Sequence, residues 1–341
     1  MKRAVILFNL GGPNRLESVE PFLFNLFNDP AIISIPSLLR YPLAKFLSKR
    51  RSPIAKNIYK KIGNKSPILE LTEKQAISLE KFLLKRGKYK CFVVMRCWRP
   101  RALNVIKKVK EYNPEEIILL PLYPQFSATT SGSSINEWNQ LCQKENYVIK
   151  TKIICCYPTE NNFISSHVSL IKKALSTVEN NNFKLIFSAH GLPESKIKKG
   201  DPYQWHVEET VKEIMLKLCN ENLDHVISYQ SRVGPLKWIG PSTNEEIVKY
   251  SKEKKGIIIV PVAFVSEHSE TLVELDIEYQ KLADKNGCSF YKRVPALGSD
   301  ENFIKGLAKL VLQPQKKGNF ISSIICPNKF VKCPCLDVSV N

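Results

Sequence analysis

The sequence predicts an α/β protein built as two doubly wound, Rossmann-like halves, each a parallel sheet covered by helices. Three observations carry this. Short, continuous apolar runs recur along the chain, as in strands buried on both faces. Stretches with helical spacing of apolar residues separate them. The length, 341 residues, is about twice the ~150 residues of an average domain.

In the first series, residues 5–8 form an apolar run that stops at Gly11-Gly12-Pro13. Residues 17–27 then show helical spacing, with Val19, Leu23, Leu26 and Phe27 on one side. Residues 29–47 are an apolar stretch broken by Pro36 and Pro42, with Lys45, Lys49, Arg50 and Arg51 in or just after it. Residues 65–85 read as mostly helical through Leu71, Ala76, Leu79 and Leu83. The runs at 91–95 and 117–122 read as strands. A second series of runs occupies 148–156, 185–188, 225–229 and 257–265. The expected division is 1–155 for the N-terminal half and 156–299 for the C-terminal half. A helix at 300–316 is free to pack back on the first half, and 317–341 is a cysteine-containing tail.

With 43% hydrophobic and 24% charged residues, disorder, collagen and a small disulfide scaffold are excluded. No run approaches the ~20 apolar residues that cross a bilayer. Met1-Lys2-Arg3 and the apolar residues after it are cut short at Asn9, too soon for a secretory signal. A cytoplasmic location is expected, peripheral on the cytoplasmic face of a membrane if the apolar stretch at 29–47 meets lipid. Ten cysteines without a secretion signal read as reduced, mostly small apolar residues. Cys326, Cys333 and Cys335 cluster near the end.

The formal net charge of +19 admits nucleic acid, anionic lipid or an acidic small molecule as partner, and equally a set of solvated lysines. There is no phosphate-binding G-x-x-x-x-G-K-[ST] loop. Gly11-Gly12-Pro13 lacks the G-x-G-x-x-G spacing, and no nucleic-acid-binding motif appears. Nucleic acid is therefore not expected as a partner.

In open parallel sheets, ligands bind beyond the carboxyl ends of the strands. Four polar segments fall there: 9–13, 123–134, 188–194 and 266–278. His190 lands on such a rim, followed by Gly191 and Pro193; an imidazole there can bind a metal or take a proton, or merely satisfy a local turn. Ser266 could cap a helix on which Glu270, Glu274 and Glu278, at i, i+4 and i+8, form one acidic stripe. The stripe is either a solvated face or a path for a cation or proton. One histidine and a row of carboxylates suit an open nitrogen–oxygen metal site, not a closed structural zinc site. The stretch at 29–47 reads either as core or as an apolar lip for a large flat ligand or a membrane.

The residues then resemble a known family. Leu7-Phe8-Asn9-Leu10-Gly11-Gly12-Pro13, Arg50-Arg51-Ser52-Pro53 with Tyr59, and Gly63-Asn64-Lys65-Ser66-Pro67 come first. Leu122-Tyr123-Pro124-Gln125-Phe126-Ser127 and Ser188-Ala189-His190-Gly191-Leu192-Pro193 follow. Val233-Gly234-Pro235-Leu236-Lys237-Trp238-Ile239-Gly240-Pro241 and Phe264-Val265-Ser266-Glu267-His268-Ser269-Glu270-Thr271-Leu272 complete the series. In this order, through nearly the whole chain, they resemble ferrochelatase, which inserts ferrous iron into protoporphyrin IX in the last step of heme synthesis.

The resemblance implies two Rossmann-like halves with a porphyrin cleft between them. It implies His190 and Glu270 as the catalytic and metal-binding pair, with Glu274 and Glu278 as the metal path. It places Asn9, Leu10, Arg51, Tyr59, Ser66, Tyr123 and Trp238 at the porphyrin. Iron is then a substrate, and no resident cofactor is required. Coproporphyrin III is the alternative substrate; a porphyrin or heme carrier without turnover is the alternative of another class. Two departures stand out: Cys97 replaces the usual Tyr after Arg96, and Leu10 cannot ligate iron. Some members carry a [2Fe–2S] cluster on C-terminal cysteines. Here Cys326, Cys333 and Cys335 are three, and the earlier ligand position is Ala128, so the usual four ligands are not met and a cluster is disfavoured.

Overall fold

A computed structural model describes residues 1–179, 182–219, 223–232, 234–313 and 320–336. Val233, residues 314–319, which span the end of the expected terminal helix and the start of the tail, and tail residues 337–341 lie outside that set.

The chain opens with β1 (Lys2–Asn9), α1 (Val19–Phe27), α2 (Ser37–Lys60), α3 (Ile68–Leu83) and β2 (Lys88–Met95). It continues through α4 (Ala102–Tyr112), β3 (Glu116–Pro121), α5 (Ser131–Lys144), β4 (Thr151–Cys156) and α6 (Asn161–Leu175). Next come β5 (Phe183–His190), α7 (Glu194–Lys198), α8 (Tyr203–Leu218), β6 (His225–Gln230), α9 (Thr243–Lys252) and β7 (Gly256–Pro261). A π-helix (Glu270–Glu278) leads into α10 (Tyr279–Lys285), then β8 (Tyr291–Arg293), α11 (Glu301–Leu312) and β9 (Phe320–Ser322).

These elements form two compact units. The first comprises Met1–Cys156 and Leu307–Ser322; the second runs from Tyr157 to Gly306 and resumes at Ser323. The junction therefore falls within α11. In the first unit the strand order is β2-β1-β3-β4-β9; in the second it is β6-β5-β7-β8. Every described pairing is parallel. In both units the chain order reverses beside the first strand: at β1 and β3 in one sheet, at β5 and β7 in the other. Ligand crevices open beyond the carboxyl ends of such strand pairs.

The apolar runs become strands because both faces are covered. In β3 and β7 all six residues are buried. One face of the first sheet packs Ile6, Phe8, Val94 and Leu119 against Val105, Ile106 and Val109 of α4 and Ile135 and Trp138 of α5. Phe8 and Trp138 meet edge to face, ring centres 5.8 Å apart. In the second unit Ile186, Ile257 and Ile259 pack under Ile247 and Tyr250 of α9, with Leu275 and Tyr279 across from them. Buried Lys152 of β4 donates from Nζ to the carbonyls of Val311 (2.7 Å) and Gln313, tying down the end of α11.

Some expectations shift. The run at 148–156 becomes a strand only from Thr151, and that at 257–265 ends at Pro261; the apolar residues beyond belong to loops. The proline-broken stretch yields one long helix, α2, with Pro42 and Pro53 inside it. The stripe Glu270–Glu274–Glu278 lies on a π-helix, not an α-helix, and Ser266 does not cap it: its N-cap is Ser269. The edge strands β8 and β9, three residues each, carry no readable pattern.

Trp138, 1% exposed, fills the centre of the first unit's core. Trp138→Ala should cost about 3–5 kcal/mol, read as a lower urea midpoint for that unit at unchanged slope.

Candidate functional site

In the second unit, β5 and β7 lie side by side in register from Phe183 with Gly256 to Ser188 with Pro261. β5 ends at His190. The chain then turns tightly: Gly191 N donates to Gln230 O at 2.9 Å. A Cβ on Gly191 would stand 3.0 Å from that oxygen and 3.2 Å from the Trp238 ring. A side chain there would press on the Gln230 carbonyl and the Trp238 ring, which would have to yield by a few tenths of an ångström. The segment after Gly191 runs antiparallel to 237–239: Pro193 bridges Trp238, and Ile239 N donates to Leu192 O at 3.0 Å. This sets Trp238 beside the end of β5. Its indole Nε1 is buried without a hydrogen-bond partner among the described residues.

After β7 the chain crosses to the π-helix, where i→i+5 bonding widens the turn. Such turns often mark functional sites. Here it brings Glu270 to the histidine: His190 Nε2 is 3.9 Å from Glu270 Oε2. A second histidine faces the same oxygen, His268 Nε2 at 3.8 Å. Neither distance is a hydrogen bond. Two donors that each sit ~2.1 Å from one ion stand about 3–4 Å apart, so the spacing suits a shared cation. His190 is 43% exposed at its side chain and His268 11%, so His190 is the one open to a substrate. Burial, more than the neighbouring carboxylates offset, lowers the pKa of His268. The shift favours its neutral form.

Behind this group Glu274 is held by four donors. Oε1 accepts from Ser231 N and Tyr279 Oη, both at 2.9 Å; Oε2 accepts from Gln230 Nε2 at 3.0 Å and from Ser231 Oγ. Burial first, then the charge of Glu270, raises its carboxyl above the usual range. Ser231 adopts φ +60°, which lets its hydroxyl lie against Glu274 and 3.4 Å from Glu270 Oε2. Both oxygens of Glu274 are thus occupied. It can offer a metal only what it withdraws from these donors. Glu278, at the end of the π-helix, is exposed.

The first-unit residues fall into two groups. Asn9, at the end of β1, is buried and spends its amide on the framework: Nδ2 donates to Thr72 Oγ1 at 3.0 Å and Oδ1 accepts from Leu10 N at 2.9 Å. Gly11 takes φ +84°, and a Cβ on Gly12 would stand 2.5 Å from Ser66; Ser66, buried, closes the turn through its N–H to Pro13 O at 2.8 Å. Tyr59 is buried with Val19, Phe22, Leu23 and Cys97, and Leu10 packs against them. Cys97, where the family has Tyr, is a core residue whose thiol burial pushes up to about 12. More accessible are half-buried Tyr123, just after β3, and half-buried Arg51 on α2. Along α2, which carries Arg51, the exposed surface is apolar and cationic: Leu38 is 84% exposed, and Leu39, Tyr41, Phe46 and Ile54 are exposed with Lys45, Lys49 and Arg50.

In the tail, Cys326 and Cys333 are buried with Phe330, and Cys335 packs against them. Phe330 stacks on Trp205 of α8 at 5.3 Å, and His206 Nε2 lies 3.2 Å from Cys326 Sγ. Among the described residues Cys333 and Cys335 have thiols close enough to share one ion, and Cys326 is not part of that group; the tail thus falls short of the usual four cluster ligands.

Sequence reasoning missed His268 as a site residue, along with Gln230, Ser231 and Tyr279. For His268 the available signal was its place two residues before Glu270 in a post-strand segment. For the others there was none, since their roles depend on how β6 and the π-helix meet.

Comparison with known proteins identifies the family. The ferrochelatase family model matches residues 2–315. The ferrochelatase of Pelagibacter ubique is 61% identical, covering 99% of each chain, and that of Rickettsia felis 51%, covering 97% of each. Among solved structures, SirB from Bacillus subtilis with Fe3+ shares the fold at a TM-score of 0.52 and 11% identity, over 91% of this chain and 94% of that one. With the family model and full-length relatives in agreement, this chain belongs to the ferrochelatase family of metal chelatases.

Proposed function

We propose that this ferrochelatase inserts ferrous iron into protoporphyrin IX, with His190 and Glu270 as the pair that meets the metal and the pyrrole protons. The observation that carries this is one carboxylate oxygen facing two imidazole nitrogens at 3.8–3.9 Å. Metallation replaces two pyrrole N–H protons by Fe²⁺, so the site needs a weak metal ligand that is also a base. Neutral imidazole and carboxylate serve both ends. His190, the exposed member, approaches the macrocycle; Glu270 shares the released proton or the arriving ion; His268 stands behind as a third donor. Glu274 and Glu278 extend the acidic series from the buried group to the surface and form the path by which iron arrives. Iron is the substrate, and the reaction draws on no resident cofactor.

Support for protoporphyrin over coproporphyrin III comes from the α2 surface. Protoporphyrin presents two carboxylates and an otherwise apolar rim; coproporphyrin presents four carboxylates. Exposed Leu38, Leu39, Tyr41 and Phe46 match the first, with Arg51 and its neighbouring cations to meet two propionates. In this reading Trp238 offers its ring to the porphyrin, and the family resemblance alone adds Asn9, Leu10, Tyr59, Ser66 and Tyr123 as porphyrin contacts.

The same surface supports peripheral contact with an anionic membrane. No described helix is long and apolar enough to cross one, whereas apolar side chains interleaved with lysine and arginine suit its surface.

Anaerobic metallation assays with both porphyrins side by side should show faster turnover of protoporphyrin; preference for coproporphyrin overturns that choice. His190→Ala should lose about 10²-fold or more in rate while still binding porphyrin by fluorescence quenching. Full activity in that variant removes His190 from the mechanism. Co-sedimentation with vesicles containing anionic lipid should fall when Leu38 and Leu39 are both changed to Asp; unchanged sedimentation rejects the membrane contact. Acid-labile sulfide with a visible iron–sulfur spectrum in anaerobically purified protein, lost in Cys333→Ser, would show a cluster that uses the tail, and colourless protein would leave the tail cysteines as packing residues.

A further inference from the structure

A π-helix bonds less favourably than an α-helix, so something outside it must hold the wide turn. In this chain the holding groups come from β8. Arg293, at the end of that edge strand, has a side chain only 11% exposed. Its guanidinium reaches two carboxylates nine positions apart in sequence. Nη2 donates to Asp276 Oδ2 at 2.8 Å and Nε to Asp276 Oδ1, a bidentate fork within the π-helix. Nη1 donates to Glu267 Oε1 at 2.9 Å and Oε2 at 3.2 Å, just before the π-helix begins. Glu267 Oε1 also accepts from Ala296 N at 2.9 Å. Two residues earlier on the same strand, Tyr291 Oη donates to Leu275 O at 2.6 Å.

His268, Glu270 and Glu274 all lie between Glu267 and Asp276. We propose that Arg293 is a positioning residue for iron insertion: by gripping both ends of this segment it fixes the π-helical register that points Glu270 at His190 and His268. It touches neither iron nor porphyrin. Its planar fork is what the geometry uses. A lysine supplies charge but cannot hold Asp276 through two parallel bonds and reach Glu267 as well. β8 is itself held in place beside β7 by pairing from Ile257 with Tyr291 to Ile259 with Arg293, so the sheet transmits its rigidity to the site.

This rests on the His190–Glu270 reading, and the test separates the two. Iron and porphyrin kinetics are measured on the full chain for Arg293→Met, Arg293→Lys, Glu267→Gln and Asp276→Asn. Loss of a residue that orients a metal ligand typically costs 10–100-fold. Arg293→Met should therefore lower kcat/KM for Fe²⁺ by about tenfold or more, with porphyrin Kd unchanged within about twofold. Arg293→Lys should recover part of that loss. Glu267→Gln and Asp276→Asn each break one arm and should each lower iron kcat/KM while leaving porphyrin Kd alone; they carry the test if Arg293→Met does not fold. Iron kinetics like the parent's in these variants overturn the proposal. So does a loss of iron turnover and porphyrin binding in equal proportion, which marks general loosening. Full activity in His190→Ala would instead remove the reading on which the proposal stands.

Discussion

The register between β5 and β7 is the constraint on which the chemistry of the second unit depends. The strands pair from Phe183 with Gly256 to Ser188 with Pro261, so their carboxyl ends emerge side by side. From one end comes His190, from the other the segment carrying His268 and Glu270. A slip by one residue would reverse which face of the strand each side chain occupies. Every residue of β7 lies in the core, so a slip would require both faces of the strand to repack. The apolar character of these strands thus serves placement as much as stability: it converts hydrophobic packing into the approach of one carboxylate oxygen to two imidazoles.

Polar groups around the site divide the labour that follows. Glu270 has room to change partners, while Glu274 beside it is saturated by Ser231, Gln230 and Tyr279. Two carboxylates so close would repel if both were charged and bare. Four donors and an upward-shifted pKa ease that repulsion at Glu274. The net charge of +19 is therefore a poor guide to the local field. Near Glu270 carboxylates predominate, with Arg293 engaged by Glu267 and Asp276, while α2 carries cations among exposed apolar side chains.

How much of this was legible in the sequence depends on the length and kind of signal. Strands buried on both faces left continuous apolar runs, so parallel sheets were readable and so were the polar segments after each strand, including the one at His190. β8 and β9 have three residues each, too few to show any period. Glu270, Glu274 and Glu278 are spaced as an α-helix would space a stripe, and their spacing says nothing of a wider turn. That turn is imposed from outside, by Arg293 and Tyr291 on a strand that was itself invisible. Ser231 likewise gains its place from a left-handed backbone conformation, which a non-glycine residue does not announce. Asn9 was legible as the polar residue that follows the first apolar run, whereas the place of Ser66 against Gly12 arises only in the fold; whether such residues face a ligand or hold the frame is decided by hydrogen-bond partners far away in sequence, such as Thr72.

The return of the chain to its first sheet bears on how the protein is made. The first unit runs to Cys156, the second is then built, and only afterwards do the last turns of α11 and β9 come back to the first. The N-terminal sheet is therefore finished last, after more than three hundred residues have left the ribosome. Until β9 arrives, β4 is an open edge with unpaired backbone groups, the kind of surface on which chains pair with the wrong partner. The first sheet thus keeps β4 as an edge until β9 pairs with it, and three residues then take over that edge.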